Sequence, residues 1–381
     1  MGAERHYFDH AAHSPLRPSA SRAWLEAAEL AGNPAGLHGS ARRSRAVLED
    51  ARESIAADLG AHPTEVVFTS GGSEADTIAV LGSLRARAEQ GRRRLVVSAV
   101  EHPAVLGAVV RRPQTSVVGV DRDARLDLTA LAEEAGDDTA LVSVQTVNNE
   151  FGTVQPVDEA AEVAHAHGAW FHTDAVQALV HPGVDFASSP AELASVSAHK
   201  IGGPVGVGAL LVRRSVNPAP VGLGGGQERD LRSGTQATAL AAGFAAALRD
   251  ASAERAAEVV RLTELRTRLL DAMARYDEVR VNGGRSVTPG IVHVTAAGVR
   301  ADDVLLLLDR EGIDASVGSA CRAGVHQPSE VVLAATGSLA DATSSLRFSM
   351  GWTTTAADVD ALADALARAL VVARGGNQRR R

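Results

Sequence analysis

Ser195-Val196-Ser197-Ala198-His199-Lys200-Ile201-Gly202-Gly203-Pro204 reads as an apolar strand that runs into a histidine and a lysine and then into a turn. Gly and Pro beyond an apolar run mark a buried strand and its end. That tight turn alone separates it from a second apolar run, 206–212. Strands joined so closely run antiparallel, because a parallel pair needs a long crossover. On the N-terminal side the pattern differs. Strand candidates at 65–69, 95–99, 116–120, 140–145, 169–172 and 193–197 are separated in several places by stretches of helical period, such as 41–59 and 157–167. Strands alternating with helices predict an α/β fold, with a mostly parallel seven-stranded sheet flanked by helices.

After residue 240 the pattern becomes helical as far as 276. Short strands follow at 278–281 and 290–294, then helix 301–311 and an amphipathic helix at 356–374. This predicts a smaller α+β domain. The expected division is a large domain over 15–247 and a small one built from 1–14 and 248–381.

The 381 residues are 45% hydrophobic and 22% charged, the balance of a globular protein. Aromatics at 3% leave the core to Ala, Val, Leu and Ile. A net charge of -8 disfavours a general nucleic-acid or membrane-surface binder, and the basic tail Gln378-Arg379-Arg380-Arg381 reads as a solvated terminus. No apolar run spans a bilayer, and the segment from Met1 to His10 has no signal-peptide core, so the expected location is the cytoplasm. A single cysteine forms no intramolecular disulfide, which fits a reducing compartment.

Four segments carry chemistry. In Phe68-Thr69-Ser70-Gly71-Gly72-Ser73-Glu74-Ala75 a strand ends, two glycines free the backbone, and a helix begins; its free N–H groups and dipole make a phosphate seat. Gly-Gly-Ser is equally a turn and an N-cap. In Trp170-Phe171-His172-Thr173-Asp174-Ala175-Val176-Gln177 a carboxylate closes a buried strand, where it can keep a pyridine nitrogen protonated or serve as a cap or metal ligand. Lys200 at its strand end is costly to bury unless its amine is used, as a Schiff base uses it; a surface lysine is the alternative. Cys321 lies in Ser316-Val317-Gly318-Ser319-Ala320-Cys321-Arg322-Ala323-Gly324, small residues that suggest an exposed loop. Arg322 and His326 would favour its thiolate, whereas a free cysteine is otherwise a buried, inert residue.

Further segments join these in order: Tyr7-Phe8-Asp9-His10-Ala11-Ala12, Asn33-Pro34 with Leu37-His38, Glu101-His102-Pro103-Ala104-Val105 and Val147-Asn148-Asn149-Glu150 with Gly152. They continue with the glycine-rich stretch 224–233 before Gly234-Thr235, and with Leu346-Arg347-Phe348-Ser349. In this sequence they resemble the cysteine desulfurases of the NifS/IscS type, in the class V aminotransferase group of fold-type I pyridoxal-phosphate (PLP) enzymes. The resemblance covers nearly the whole chain. It implies that Lys200 carries PLP through its amine, that Asp174 pairs with the pyridinium nitrogen, and that Gln177 meets the ring hydroxyl. His102 would stack on the ring and move protons, and Gly72, Ser73, Ser197 and His199 would hold the phosphate. Thr235 would reach the phosphate of the neighbouring subunit, which implies a homodimer. Arg347 would clamp the substrate carboxylate, helped by Asn33 and Asn149. Cys321 would accept sulfur from L-cysteine as a persulfide, L-alanine being released, and pass it to an acceptor protein. No metal is implied.

Three positions depart from the family pattern. His13-Ser14-Pro15 replaces threonines before proline, Asp76-Thr77 stands where asparagines are usual, and Trp352 takes a place commonly polar or basic. These bear on specificity rather than on reaction class. Alternatives are a selenocysteine lyase, another class V aminotransferase or C–S lyase, and, in a different class, a non-catalytic scaffold. The sulfur acceptor stays open among iron–sulfur cluster assembly, tRNA thiolation, DNA sulfur modification and biosynthesis.

Overall fold

The computed structural model describes residues 5–109, 114–318 and 327–378. Cys321, with Arg322 and His326, lies outside the described residues. Strands occur in the order β1 (His6–Tyr7), β2 (Val66–Thr69), β3 (Arg94–Ser98), β4 (Thr115–Val118), β5 (Thr139–Ser143) and β6 (Trp170–Asp174). They continue with β7 (Leu193–Ser197), β8 (Gly208–Val212), β9 (Val279–Val281), β10 (Ile291–Ala296), β11 (Ile313–Asp314) and β12 (Ser345–Ser349). All seven strands expected in the middle of the chain form one sheet, ordered β2-β8-β7-β6-β5-β3-β4. β8 runs antiparallel to both neighbours, as the short turn after Lys200 requires, while the other pairings are parallel. β2, β5, β7 and β8 are buried along their whole length, which is why they read as unbroken apolar runs.

Strand ends in the large sheet differ from the sequence expectation by no more than two residues, and β7 matches it. β8 begins at Gly208 because Gly206, at φ +90°, still belongs to the turn. β6 extends through Asp174, whose register partner is Ser195. The aspartate is therefore fixed by the ladder itself.

The second part of the structure is a three-stranded antiparallel sheet, β12-β10-β9, packed by helices Ala301–Arg310 and Ala356–Gln378. A single 36-residue helix, Thr238–Met273, runs through residues 247 and 248 without a break. Its first half packs Phe244, Leu248 and Ala251 into the core beneath the large sheet. Its second half packs Leu262, Leu265 and Leu269 against Val292, Phe348 and Leu366 of the other core. The N-terminal segment closes the arrangement. β1 pairs with β11, Phe8 N–H bonds Asp314 O at 2.8 Å, and Ser14 N–H reaches His199 O at 2.9 Å.

One ion pair stands out within the large core. Arg52 from helix Gly39–Asp58 makes two 2.8 Å bonds to the Glu228 carboxylate, which also accepts Phe68 N–H at 2.8 Å and Gln236 Nε2 at 2.6 Å. Glu228, Arg229 and Asp230 have φ of 48°, 58° and 63°, a left-handed path that costs about 1–2 kcal/mol per residue. The pair fixes this loop against β2. Burial alone would raise the Glu228 carboxyl, but the Arg52 bond and charge, with Gln236 and Phe68 N–H, hold it below its ordinary 4.5. Glu228→Ala is expected to lower unfolding free energy by about 3–5 kcal/mol, since Arg52 is left buried and unpaired. Because the folded carboxyl titrates below the unfolded one, the wild-type advantage is complete above pH 4.5 and fades as acid protonates the folded carboxylate. Urea denaturation of both proteins across that range measures it.

Candidate active site

The carboxyl ends of β2, β3, β5, β6 and β7 converge on one cavity of about 170 Å³. Such strand ends are where open α/β sheets place their ligands. The segment after β2 delivers Gly72 and Ser73, and that after β3 delivers His102. Asn149 follows β5, Asp174 and Gln177 close β6, and Ser197, His199 and Lys200 close β7. A second cavity of about 530 Å³ shares His102 and Asn149 with the first and is walled by Arg347, Glu150 and Gly318.

At the anion-binding end, Gly71 has φ +149° just before helix Gly72–Arg87, whose first N–H groups have no intrahelical acceptors. A Cβ on Gly72 would meet Val176 Cγ2 at 2.7 Å, so the backbone approaches the cavity only as glycine. Ser197 Oγ and His199 Nδ1 lie 2.8 Å apart beside it. Burial, Lys200 and His13 push the His199 imidazole down to about 4, which leaves it neutral.

Lys200 Nζ donates to the carbonyls of Ala11 at 2.6 Å and Ala12 at 2.9 Å. Burial, and after it the charge of Arg347, lower its amine to about 8, with Asp174 and Asp9 opposing. Burial raises the Asp174 carboxyl, opposed by His102, the Val176 N–H and Lys200. Asp76, 1% exposed, lines the same cavity, and its Oδ1 has no hydrogen-bond partner among the described residues. Burial and then the charge of Asp174 raise Asp76 well above its ordinary value. Neighbouring buried carboxyls resist double ionisation, so the proton stays on Asp76 and the charge falls on Asp174. His102 accepts Ala104 N–H on Nδ1 at 3.1 Å, and burial lowers its imidazole, which puts the proton of the neutral ring on Nε2.

Arg347, on β12, donates from Nη1 to Asn149 O at 2.8 Å and from Nη2 to Asp9 Oδ1 at 2.7 Å. Its buried Nε has no partner among the described residues. Asn33 and Thr235 do not line either cavity. Both are exposed, and Asn33 Oδ1 accepts Ala35 N–H at 2.9 Å. Gln177 donates to Ala11 O at 2.7 Å, sharing that carbonyl with Lys200.

Sequence reasoning gave no role to the Ala11 and Ala12 carbonyls, to Gln145 or to Asp76. The signals were present, in the motif ending at Ala12 and in the unusual Asp76, but nothing in the sequence places residue 11 beside residue 200.

A strand-end lysine, a strand-end carboxylate and a helix-capped anion seat in one α/β cavity define a PLP-dependent enzyme. The chain belongs to the aminotransferase class-V family, whose model matches residues 6–362, and within it to the IscS/NifS-like cysteine desulfurases. It is 45% identical over 380 residues to the IscS-like cysteine desulfurase of Mycobacterium tuberculosis, covering 97% of each chain. It is 37% identical over 371 residues to the cysteine desulfurase IscS of Dictyoglomus turgidum, covering 95% of this chain and 93% of that one. The NifS-like protein from Rickettsia africae has a similar structure, with a TM-score of 0.88 at 25% identity, covering 96% and 99% of the two chains. The family uses PLP, and the donors present fit it: a glycine cradle for a phosphate, a buried carboxylate for a ring nitrogen, and a depressed amine for an aldehyde.

The neutral amine is the nucleophile toward an aldehyde, so capture of PLP by the cofactor-free protein should accelerate with pH and level off above about 8. Stopped-flow absorbance measures the rate. A profile still climbing steeply toward the ordinary lysine value of 10.5 would contradict the depressed amine.

Proposed function

We propose that the protein is a cysteine desulfurase in which Lys200 moves the substrate proton and Cys321 takes the sulfur. The observation that carries this reading is the meeting of Lys200, Asp174, His102 and the Gly72–Ser73 cradle in one cavity, next to a second cavity that holds Arg347.

PLP, when bound, supplies a ring that accepts the electron pair released when an amino acid loses its Cα proton. Asp174 would hold the ring nitrogen protonated, Gln177 the ring hydroxyl, and Gly72, Ser73, Ser197 and His199 the phosphate. His102 would cover the ring face, and its Nε2 proton is available for transfer. Arg347, with Asn149 and Asn33, would orient the substrate carboxylate through its planar fork. Lys200 Nζ, with its amine near 8, exists in both protonation states at neutral pH and can take up and return a proton. The Cys321 thiolate attacks the substrate sulfur as the carbon–sulfur bond breaks. The carbon gains a proton and leaves as alanine, and Cys321 keeps the sulfur as a persulfide.

The same reading includes a homodimer in which Thr235 serves the neighbouring site. The exposed Thr235, Leu37 at 84% and Leu223 at 101% lie on or beside motif loops and support it. It divides the chain at 15–247 from 1–14 with 248–381; the separate core that gathers Phe8, Leu262 and Phe348 supports the division, although Leu248 and Ala251 still pack in the large core. The acceptor would be a protein of iron–sulfur assembly or tRNA thiolation, in the cytoplasm. No helix among the described residues is long and apolar enough to cross a membrane.

Cys321→Ala should keep the yellow cofactor absorbance and lose alanine release from L-cysteine; full turnover in that variant would refute sulfur capture by Cys321. Lys200→Ala should lower turnover by roughly 10²–10⁴-fold, the share that a positioned proton carrier supplies. Alanine quantified under excess cysteine and a reducing acceptor measures both.

A further inference from the structure

Trp352 is used by no step of the chemistry above, yet it stands just past the end of β12, the strand that carries Arg347. Its indole reaches the segment that lies over Lys200. Trp352 Nε1 donates to Pro15 O at 3.1 Å, and the Arg17 guanidinium carbon lies 5.1 Å from the centre of its ring. Arg17 is 6% exposed and holds the turn after Lys200 twice. Its backbone N–H bonds Gly202 O at 2.8 Å, and its Nε donates to Ile201 O at 2.9 Å. Its Nη1 anchors on Glu254 of the long helix at 2.7 Å. Three distant parts of the chain therefore cross at Gly202. A Cβ there would come within 2.7 Å of Pro15 O, 2.8 Å of Arg17 Cγ and 3.2 Å of Trp352 Nε1, at φ +79°.

We propose that Trp352 and Arg17 are positioning residues for Lys200: they clamp segment 11–17 onto the turn 200–204, which keeps the amine against the Ala11 and Ala12 carbonyls and shut off from water. This rests on the reading of Lys200 as cofactor lysine and proton carrier. The clamp acts through the backbone, since the acceptors of the amine are the two carbonyls. Ser14 N–H on His199 O ties one end of the crossing, and Arg17 ties the other. Behind the amine lies a small cavity of about 60 Å³, walled by Lys200, Gln177, Arg17, Trp352 and Glu254. The Glu254 side chain is 54% exposed, so solvent lies just beyond the Arg17–Glu254 pair. A half-exposed ion pair holds weakly by itself, whereas a buried guanidinium over an indole holds more firmly. The indole is therefore the stronger half of the clamp.

The charged and titratable groups that face the amine are Asp9 from the N-terminal segment, Asp174 from β6, His102 after β3, Arg347 from β12 and the adjacent His199. His10, Arg17, Glu254 and Glu258 line the cavity behind it. Burial does most to lower the amine, ahead of Arg347. Water admitted to the cavity weakens that effect and leaves Asp174 and Asp9 to favour the ammonium form. Loosening the clamp therefore raises the amine toward its ordinary 10.5.

Lys200 is the only lysine in the sequence, which makes the test direct. Growth on lysine isotopically enriched at Cε gives the full chain one NMR resonance that titrates with this amine, and its loss in Lys200→Ala identifies it. In the cofactor-free protein the wild-type midpoint should lie near 8. Trp352→Leu and Arg17→Gln should each raise it by about one pH unit. Trp352→Phe keeps a ring for Arg17 but loses the donor to Pro15, and should raise it about half as far. A substitution that only lowered stability would leave the midpoint of the folded protein in place. In the holoenzyme, exchange of the L-alanine Cα proton with heavy water should slow about tenfold in Trp352→Leu, a misplacement effect, with KM for alanine unchanged. Midpoints of Trp352→Leu and Arg17→Gln that equal the wild-type one would overturn the proposal. If either fails to fold, the Trp352→Phe midpoint decides in its place. Exchange that persists in Lys200→Ala would remove the proton-carrier reading, while the midpoints of the other variants would still report the clamp.

Discussion

Lys200 brings a primary amine to the partly buried end of a central strand, where its charged form loses hydration that the carbonyls of Ala11 and Ala12 replace only in part. That desolvation lowers the amine toward neutrality and so makes it reactive. Much of the architecture follows from keeping the amine in place. β7 is held on both sides by the sheet, and the turn after Lys200 must reverse the chain into β8. The N-terminal segment must cross from the small sheet to cover it, and Ser14 N–H bonded to His199 O marks the crossing. Both parts of the protein therefore meet at this residue.

Around the amine the structure concentrates buried carboxyls. Asp174, Asp76 and Glu101 are all buried, and each is raised chiefly by burial. They are not equivalent. Asp174 has two cationic or polarisable neighbours, His102 and Lys200, whereas Asp76 has the charge of Asp174 against it. Glu101 accepts Gln145 N–H at 2.6 Å, which ties the ends of β3 and β5 together. The environment thus singles out Asp174 to carry the negative charge. A carboxylate of that kind is the group that steadies a protonated heteroaromatic nitrogen. Asp76, one of the departures from the family pattern, lies at the centre of this arrangement. The other two departures also meet in space, since Trp352 Nε1 donates to Pro15 O at 3.1 Å and Ser14 Oγ lies 3.0 Å from His10 Nδ1.

The fold was largely legible because the inner strands of the large sheet are covered on both faces and read as apolar runs bounded by turn residues; edge strand β4, with Val117 exposed, is the exception. The reversal at β8 was legible from loop length alone. Small errors arose where the hydrogen-bond ladder, not side-chain polarity, sets a strand end, as at Asp174 and Gly208. The expected domain boundary fell inside one continuous helix because a 36-residue helix can serve two cores without any change in its own pattern. Within the site, Gly72, Ser73, Asp174 and Lys200 were legible because each sits at or just past a strand end, whereas His102 was legible only through the family resemblance of its Glu101-His102-Pro103 segment. The Ala11 and Ala12 carbonyls were not, since a backbone oxygen leaves no mark on side-chain identity.

By itself the sequence determined the elements and their hand-over points: which runs are strands, where they stop, and which reactive side chain stands at each stop. These are local properties of apolar period, turn chemistry and residue type. Only the tertiary structure decided which of those side chains share a cavity, which carboxyl keeps its proton, and that Glu150 bonds Ser329. Ionisation and contact depend on burial and on neighbours distant in the chain, and those distances exist only once the sheet has closed.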